Sequence, residues 1–190
     1  MALVRGFKSN AERIAAAVRR ELDLHDLDAL DPLILAEHRG VRVMRVSDLK
    51  PRGLSAASAR QVLEVDRECF SAATIRDGER ALVVYNDAHA STRIANSVSH
   101  EMSHLELKHP ARVAFDLGCR SWNEREEEEA SWLGAALLVT RQAALHFARG
   151  GMAIEVAAAQ LGVSPALMRM RLNVTGVTAQ ARRERPRRAS

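Results

Sequence analysis

The chain has 190 residues, 47% of them hydrophobic and 27% charged, which suits a soluble globular protein with one cored domain or one domain plus a small appendage. No stretch approaches the ~20 apolar residues that cross a membrane, and "MALVRGFKSNAERIAAAVRR" lacks the apolar run and cleavage site of a secretion signal. The net charge of +4 comes from the tail, where Arg182, Arg183, Arg185, Arg187 and Arg188 stand against Glu184; the rest sums to zero, which argues against a folded basic face.

Two cysteines, Cys69 and Cys119, are too few for a disulfide framework and too far apart for a Cys-x-x-Cys site. Free thiols in a reducing cytoplasm are the expectation.

Ser9-Asn10-Ala11-Glu12 reads as a capping box, with Ile14, Val18 and Leu22 on one face of the helix behind it. Asp31-Pro32 reads as an N-cap and first-turn proline, and Gly40 as a helix stop. Val41, Val43 and Val46 predict a short strand, and residues 50–61 a loop. "VLEV" (62–65), "CFSAATI" (69–75) and "ALVVY" (81–85) predict strands, with a hairpin turn at Asp77-Gly78.

From Thr92 the pattern turns helical. One helix runs to His109, where Pro110 ends it, and a second starts at an N-cap on Asn123 and runs through "EREEEEASWLGAALLV". Gly150-Gly151 breaks the pattern. "MAIEVAAAQLGVSPALMRMRLNV" then reads as helix, turn at Gly162, and a helix capped by Ser164-Pro165. The fold class is α+β: a small, mainly antiparallel sheet, a helix carrying the motif described next, and a helix-turn-helix-like C-terminal segment. The boundaries are 1–148 for the main domain, 149–178 for that segment and 179–190 for a basic, disordered tail. The tail reads as a solubilising end, with contact to nucleic acid as the second reading.

"SHEMSHLELKH" (99–109) contains His100-Glu101-Met102-Ser103-His104, the pattern His-Glu-x-x-His. On a helix, residues four apart share a face one turn apart, so His100 and His104 can offer imidazoles to one ion. Zinc accepts nitrogen ligands at ~2.0–2.1 Å and keeps an open position when catalytic. Glu101 then stands beside the metal without ligating it, where it can take a proton from the attacking water. The competing reading is two exposed histidines on one helix. A third ligand is sought in the helix head "NEREEEEASWLGAALL", where Glu124, Glu126, Glu127, Glu128 and Glu129 are all candidates, although such a run is usually a solvated face. His109, near the end of the motif helix, suits dipole capping or plain exposure better than transition-state stabilisation. Arg93 suits pairing with a carboxylate.

Taken together, these segments resemble the ImmA/IrrE-type metallopeptidases, bacterial proteins linked to cleavage of helix-turn-helix repressors. The resemblance rests on "GVRV" at 40–43, "LVVYND" at 82–87, Arg93, the motif at 100–104 and "EEEASWLGAALLVT" at 127–140, and spans residues 10–175. It implies zinc ligation by His100, His104 and Glu127, with Glu101 as general base. Glu128 is the neighbouring register for the third ligand, and two histidines with a carboxylate also suit manganese. Ser131, one turn beyond Glu127, could hydrogen-bond a ligating group. The family usually has Asn where this chain has Ser131, Phe where it has Leu133 and Pro where it has Thr140.

Function therefore reads as zinc-dependent endopeptidase in the cytoplasm, cutting a helix-turn-helix repressor and so derepressing genes of a stress or mobile-element response. The competing class is a DNA- or regulator-binding transcription factor whose metal site is structural or vestigial. Ala158, Gly162 and Met168 fit a helix-turn-helix, and Arg169 and Arg171 could meet DNA phosphates. No membrane partner is expected. Residues 50–61 and 110–123 are candidate rims of the substrate cleft.

Overall fold

Helix α1 (Phe7–Glu21) starts two residues before the capping box, behind Gly6 at φ 88°, and no side chain caps it. The expected Ser9/Glu12 box is therefore wrong. Glu12 is already inside the helix, and its carboxylate instead accepts from the Arg141 amide (2.9 Å) and from Arg171. Those partners lie far along the chain, so their claim on Glu12 is invisible to local spacing. Ala11, Ala15 and Val18 form the buried face of α1.

The computed structural model describes residues 3–52, 70–78, 80–110 and 123–184. The strand expected at 62–65, both cysteines, most of the two candidate rims and the end of the tail fall outside the described residues.

Helix α2 (Pro32–His38) begins as predicted: the Asp31 carboxylate accepts from the Leu33 amide at 2.9 Å, and proline occupies the first turn. Gly40 follows at φ 66°, a left-handed turn that glycine makes without strain. Strand β1 (Arg42–Arg45) leads into a short 3₁₀ helix at Val46–Arg52. Strands β2 (Ala72–Asp77) and β3 (Arg80–Tyr85) form a hairpin. Asp77 still pairs with Arg80, so the turn lies one residue beyond the expected Asp77-Gly78 pair, with Gly78 at φ 57°. The sheet order is β1-β3-β2, antiparallel between β2 and β3 and parallel between β1 and β3. Central β3 turns Val83 and Tyr85 into the core.

Helix α3 (Ser91–Glu106) carries the His-Glu-x-x-His motif and buries Val98, Ser99, Met102 and Ser103. Helix α4 (Glu124–Leu138) starts on Asn123, whose side chain accepts from the Arg125 amide. From Ala130 to Leu138 it is buried nearly all round, the pattern of a central core helix. Helices α3 and α4 cross closely because α4 has Gly134 there. A Cβ at that position would lie 3.2 Å from the His100 Cα. The Ser99 hydroxyl donates to the Gly134 carbonyl at 3.0 Å, which fastens the crossing one residue before the first histidine.

Helix α5 (Arg141–Gly150) is capped by Thr140, whose hydroxyl accepts from the Ala143 amide at 3.0 Å. Thr140, one of the departures from the family pattern, thus has a clear local job. Helices α6 (Ile154–Gln160) and α7 (Pro165–Val174) form the predicted pair, with Gly162 at φ 66° and Ser164 as N-cap. Helix α8 (Val177–Glu184) follows. Residues 179–184 were expected in a disordered tail, yet they continue α8, where Val177 and Ala181 are buried. Leu161, Val163, Met168 and Val177 belong to the same buried cluster as Val98 and Leu137, so the C-terminal helices share the main core. The class is α+β: eight helices and three strands among the described residues.

The closing end of α4 is capped by two buried arginines. Arg19 of α1 donates to the carbonyls of Leu137 and Leu138, at 3.1 and 3.3 Å, and Arg171 of α7 to that of Val139 at 2.8 Å. Helix α4 therefore has carboxylates at its positive end and guanidinium groups at its negative end, both favoured by the helix dipole.

Candidate metal centre

The motif histidines lie on the face of α3 that meets the head of α4. His100 Nε2 is 3.1 Å from His104 Nε2 and 3.2 Å from Glu127 Oε2, and His104 Nε2 is 3.6 Å from the same oxygen. Ligands at ~2.0–2.2 Å from a tetrahedral ion stand about 3.3–3.6 Å from each other. The observed edges bracket that range, so the donor set fits a four-coordinate divalent cation with one position left over. All three side chains are about a quarter exposed or less, which leaves the open side reachable from solvent.

Each glutamate of the run has its own surroundings. Glu127 is the one that joins the two histidines in a metal-type cluster among the described residues. Glu128, the neighbouring register, is absent from that cluster; its Oε2 is buried with no hydrogen-bond partner among the described residues. Glu126 accepts from the Asn123 side chain at 2.6 Å. Glu129 is buried against His109 and Arg125. Glu124 is exposed.

Burial and the neighbouring His100 hold the His104 imidazole down at about 4, against the pull of Glu127 in the other direction. His104 is therefore neutral at pH 7, the form that can ligate a metal. Ser131 Oγ lies 3.3 Å from His100 Nδ1, the nitrogen facing away from the cluster. The smaller serine thus reaches the position where the family usually places asparagine.

Glu101 is gripped by β2. The Thr74 hydroxyl donates to Glu101 Oε2 at 2.7 Å. Sequence reasoning missed Thr74, since nothing local links a strand threonine to a helix glutamate. It also missed Gly134, for which a lone glycine inside the apolar "WLGAALL" was the available signal.

Two expectations change, those for His109 and Arg171. His109 is neither a cap nor exposed: it is buried, with Nδ1 2.8 Å from His104 Nδ1. Arg171, expected at DNA phosphates, is wholly buried, bound to Glu12 and the Val139 carbonyl and 5.6 Å from the Trp132 ring centre. Arg169 is exposed on α7. Arg93 donates to the Ser71 hydroxyl at 3.1 Å, so it ties the start of α3 to the start of the β2–β3 hairpin.

A helix bearing His-Glu-x-x-His, a carboxylate from the next helix and a small supporting sheet define a metallopeptidase-type protein. The family described as IrrE N-terminal-like domain, Peptidase_M78, matches residues 36–173. The chain belongs to that family. No curated protein and no solved structure gives a significant match. No described helix is long and apolar enough to cross a membrane.

Proposed function

We propose that this protein is a zinc-dependent endopeptidase that hydrolyses a peptide bond in a helix-turn-helix repressor in the cytoplasm. Loss of the repressor would switch on genes of a stress or mobile-element response. The observation that carries the reading is the triangle of His100, His104 and Glu127 donor atoms with Glu101 next in sequence to the first ligand.

Zinc bound there supplies a Lewis acid that polarises the scissile carbonyl and acidifies water. Glu101 takes the proton from the attacking water and delivers it to the leaving amine. Thr74 holds one oxygen of Glu101, so the proton travels on the other. His104 stays neutral and so remains a donor at neutral pH.

The alternative, a DNA- or regulator-binding transcription factor with a structural or vestigial metal site, draws on the α6–α7 pair and the exposed Arg169 but loses the buried Arg171. The test is incubation with the helix-turn-helix regulator encoded beside this chain, with zinc or with chelator, read by mass spectrometry. A single new cleavage that chelator abolishes is expected. Glu101→Gln should retain zinc and lose cleavage; a Glu101→Gln protein that still cuts refutes the assignment. His100→Ala should lose stoichiometric zinc in metal analysis.

A further inference from the structure

Behind the metal cluster stand three residues that the reading above does not use: His109, Glu129 and Arg125. Helix α3 ends at Glu106, and Lys108 turns the chain with a left-handed φ of 55°. The His109 amide then donates to the His104 carbonyl at 3.0 Å, and Arg76 Nη1 of β2 donates to the His109 carbonyl at 2.9 Å. A helix continued in register would have put Lys108 on the His104 face. The turn puts His109 there instead, with its ring centre 4.9 Å from that of His104.

With a cation held at the cluster, hydrogen-bond polarity would assign every proton. The Nδ1–Nδ1 contact of 2.8 Å needs one donor and one acceptor. His104 Nε2 points at His100 and Glu127, where a cation needs its lone pair. The proton of neutral His104 is therefore on Nδ1 and is donated to His109 Nδ1. That leaves the His109 proton on Nε2, facing Glu129 Oε2 at 3.3 Å. The other oxygen of Glu129 accepts from Arg125 Nε at 2.8 Å. Each atom has one role, and the chain runs one way, from ligand to buried carboxylate. Among the described residues, His100 has the exposed Ser131 behind it, at 3.3 Å. The two histidine ligands are thus supported unequally.

We propose that His109 and Glu129 are positioning residues that fix the tautomer and ring orientation of His104 and so set the affinity for the divalent cation. This rests on the metallopeptidase reading. Groups that orient a metal-bound histidine typically contribute about 10- to 100-fold in metal affinity.

The test measures zinc affinity by chelator competition, and the absorption spectrum of the Co²⁺ form, for wild type, His109→Leu, His109→Gln and Glu129→Leu. At His109, leucine removes the acceptor, whereas glutamine can offer a carbonyl to His104 Nδ1. Zinc binding by His109→Leu should weaken by about 10- to 100-fold, with a shifted Co²⁺ spectrum. His109→Gln should recover most of the loss, a rescue that a mere space-filling role would not give. Should His109→Leu fail to fold by circular dichroism, Glu129→Leu, which removes the acceptor that glutamine would keep, carries the test, and unchanged affinity there overturns the proposal. Wild-type affinity in a folded His109→Leu, or no advantage of Gln over Leu, overturns it as well. A wild-type chain that binds no zinc removes the metallopeptidase reading along with it; tight wild-type binding with an indifferent His109 removes this proposal alone.

Discussion

Gly134→Ala adds a single methyl group where α3 and α4 cross. The new Cβ would stand 3.2 Å from the Cα and N of His100 and 3.3 Å from the Ser99 carbonyl carbon. Carbon atoms at rest sit ~3.5–4.0 Å apart, so the helices must part by a few tenths of an ångström, and the obstacle is backbone. Overpacking of this kind costs ~1–3 kcal/mol. Alanine returns ~0.8–1 kcal/mol in helix propensity over glycine. The net loss is thus about 0–2 kcal/mol, at most ~8 °C in Tm for a chain of this size. The effect on the metal centre should be larger in proportion. Helix α4 carries Glu127, the crossing touches His100 itself, and ligand distances tolerate only ~0.2 Å. Zinc affinity should fall about tenfold or more. Gly150→Ala is the matched control: it is helical, a Cβ there meets nothing within 4 Å, and its φ is not left-handed. It should be neutral or stabilise by up to ~1 kcal/mol and leave zinc binding alone. The assays are thermal melts of the metal-free proteins and zinc competition with a chromophoric chelator. If the two variants behave alike in both, the close helix approach does not set the ligand geometry, and the reasoning is refuted.

Thr74→Val removes the hydroxyl from Glu101; turnover should drop roughly tenfold, the worth of one hydrogen bond to a charged group, with zinc content intact. Unchanged turnover would show that Glu101 does not need the strand. Arg171→Leu leaves the Val139 carbonyl without its donor and one Glu12 oxygen without its charged partner, and urea unfolding should report a loss of ~3–5 kcal/mol; a loss below ~1 kcal/mol would deny the clamp on α4. Metal-free stability should also carry the signature of His104. Its imidazole titrates at about 4 when folded, against a usual 6.5, so on acidification the unfolded chain takes up the proton first. This contribution is complete above the usual value, drains away as pH falls through that window and is gone below the folded one. The stability gap between wild type and His104→Gln should therefore move in the variant's favour as pH falls from 7 to 4 in chelator. A gap that does not move contradicts the burial of His104 beside His100.

What the sequence made legible was whatever is settled within a few residues. The Asp31, Asn123 and Ser164 caps each bond an amide two or three positions on, and the motif needs only one helical turn to bring His100 beside His104. The register of the third ligand was harder, since a run of glutamates looks alike until a neighbouring helix chooses among them. The Ser9/Glu12 box misled because an equally local pattern lost to partners beyond residue 140. Arg171 misled in the opposite sense: a basic residue on an expected recognition helix is read as exposed by default, while its bond to the Val139 carbonyl depends on the whole chain. His109 was misread because helical spacing was extended past the left-handed turn at Lys108. The parallel β1–β3 pairing joins strands with β2 between them in the chain, and no turn announces it.

The two arginines at the closing end of α4 make the helix a shared possession of both ends of the chain. Arg19 is anchored in the first helix and Arg171 in the seventh, and the carbonyls they hold terminate the helix whose opposite end supplies Glu127. Glu127 and those carbonyls stand near opposite ends of a helix ~22 Å long at 1.5 Å per residue. A nick in the segment joining α5 to α7 should therefore loosen the end of α4 as well as the C-terminal helices, since Arg171 holds the Val139 carbonyl.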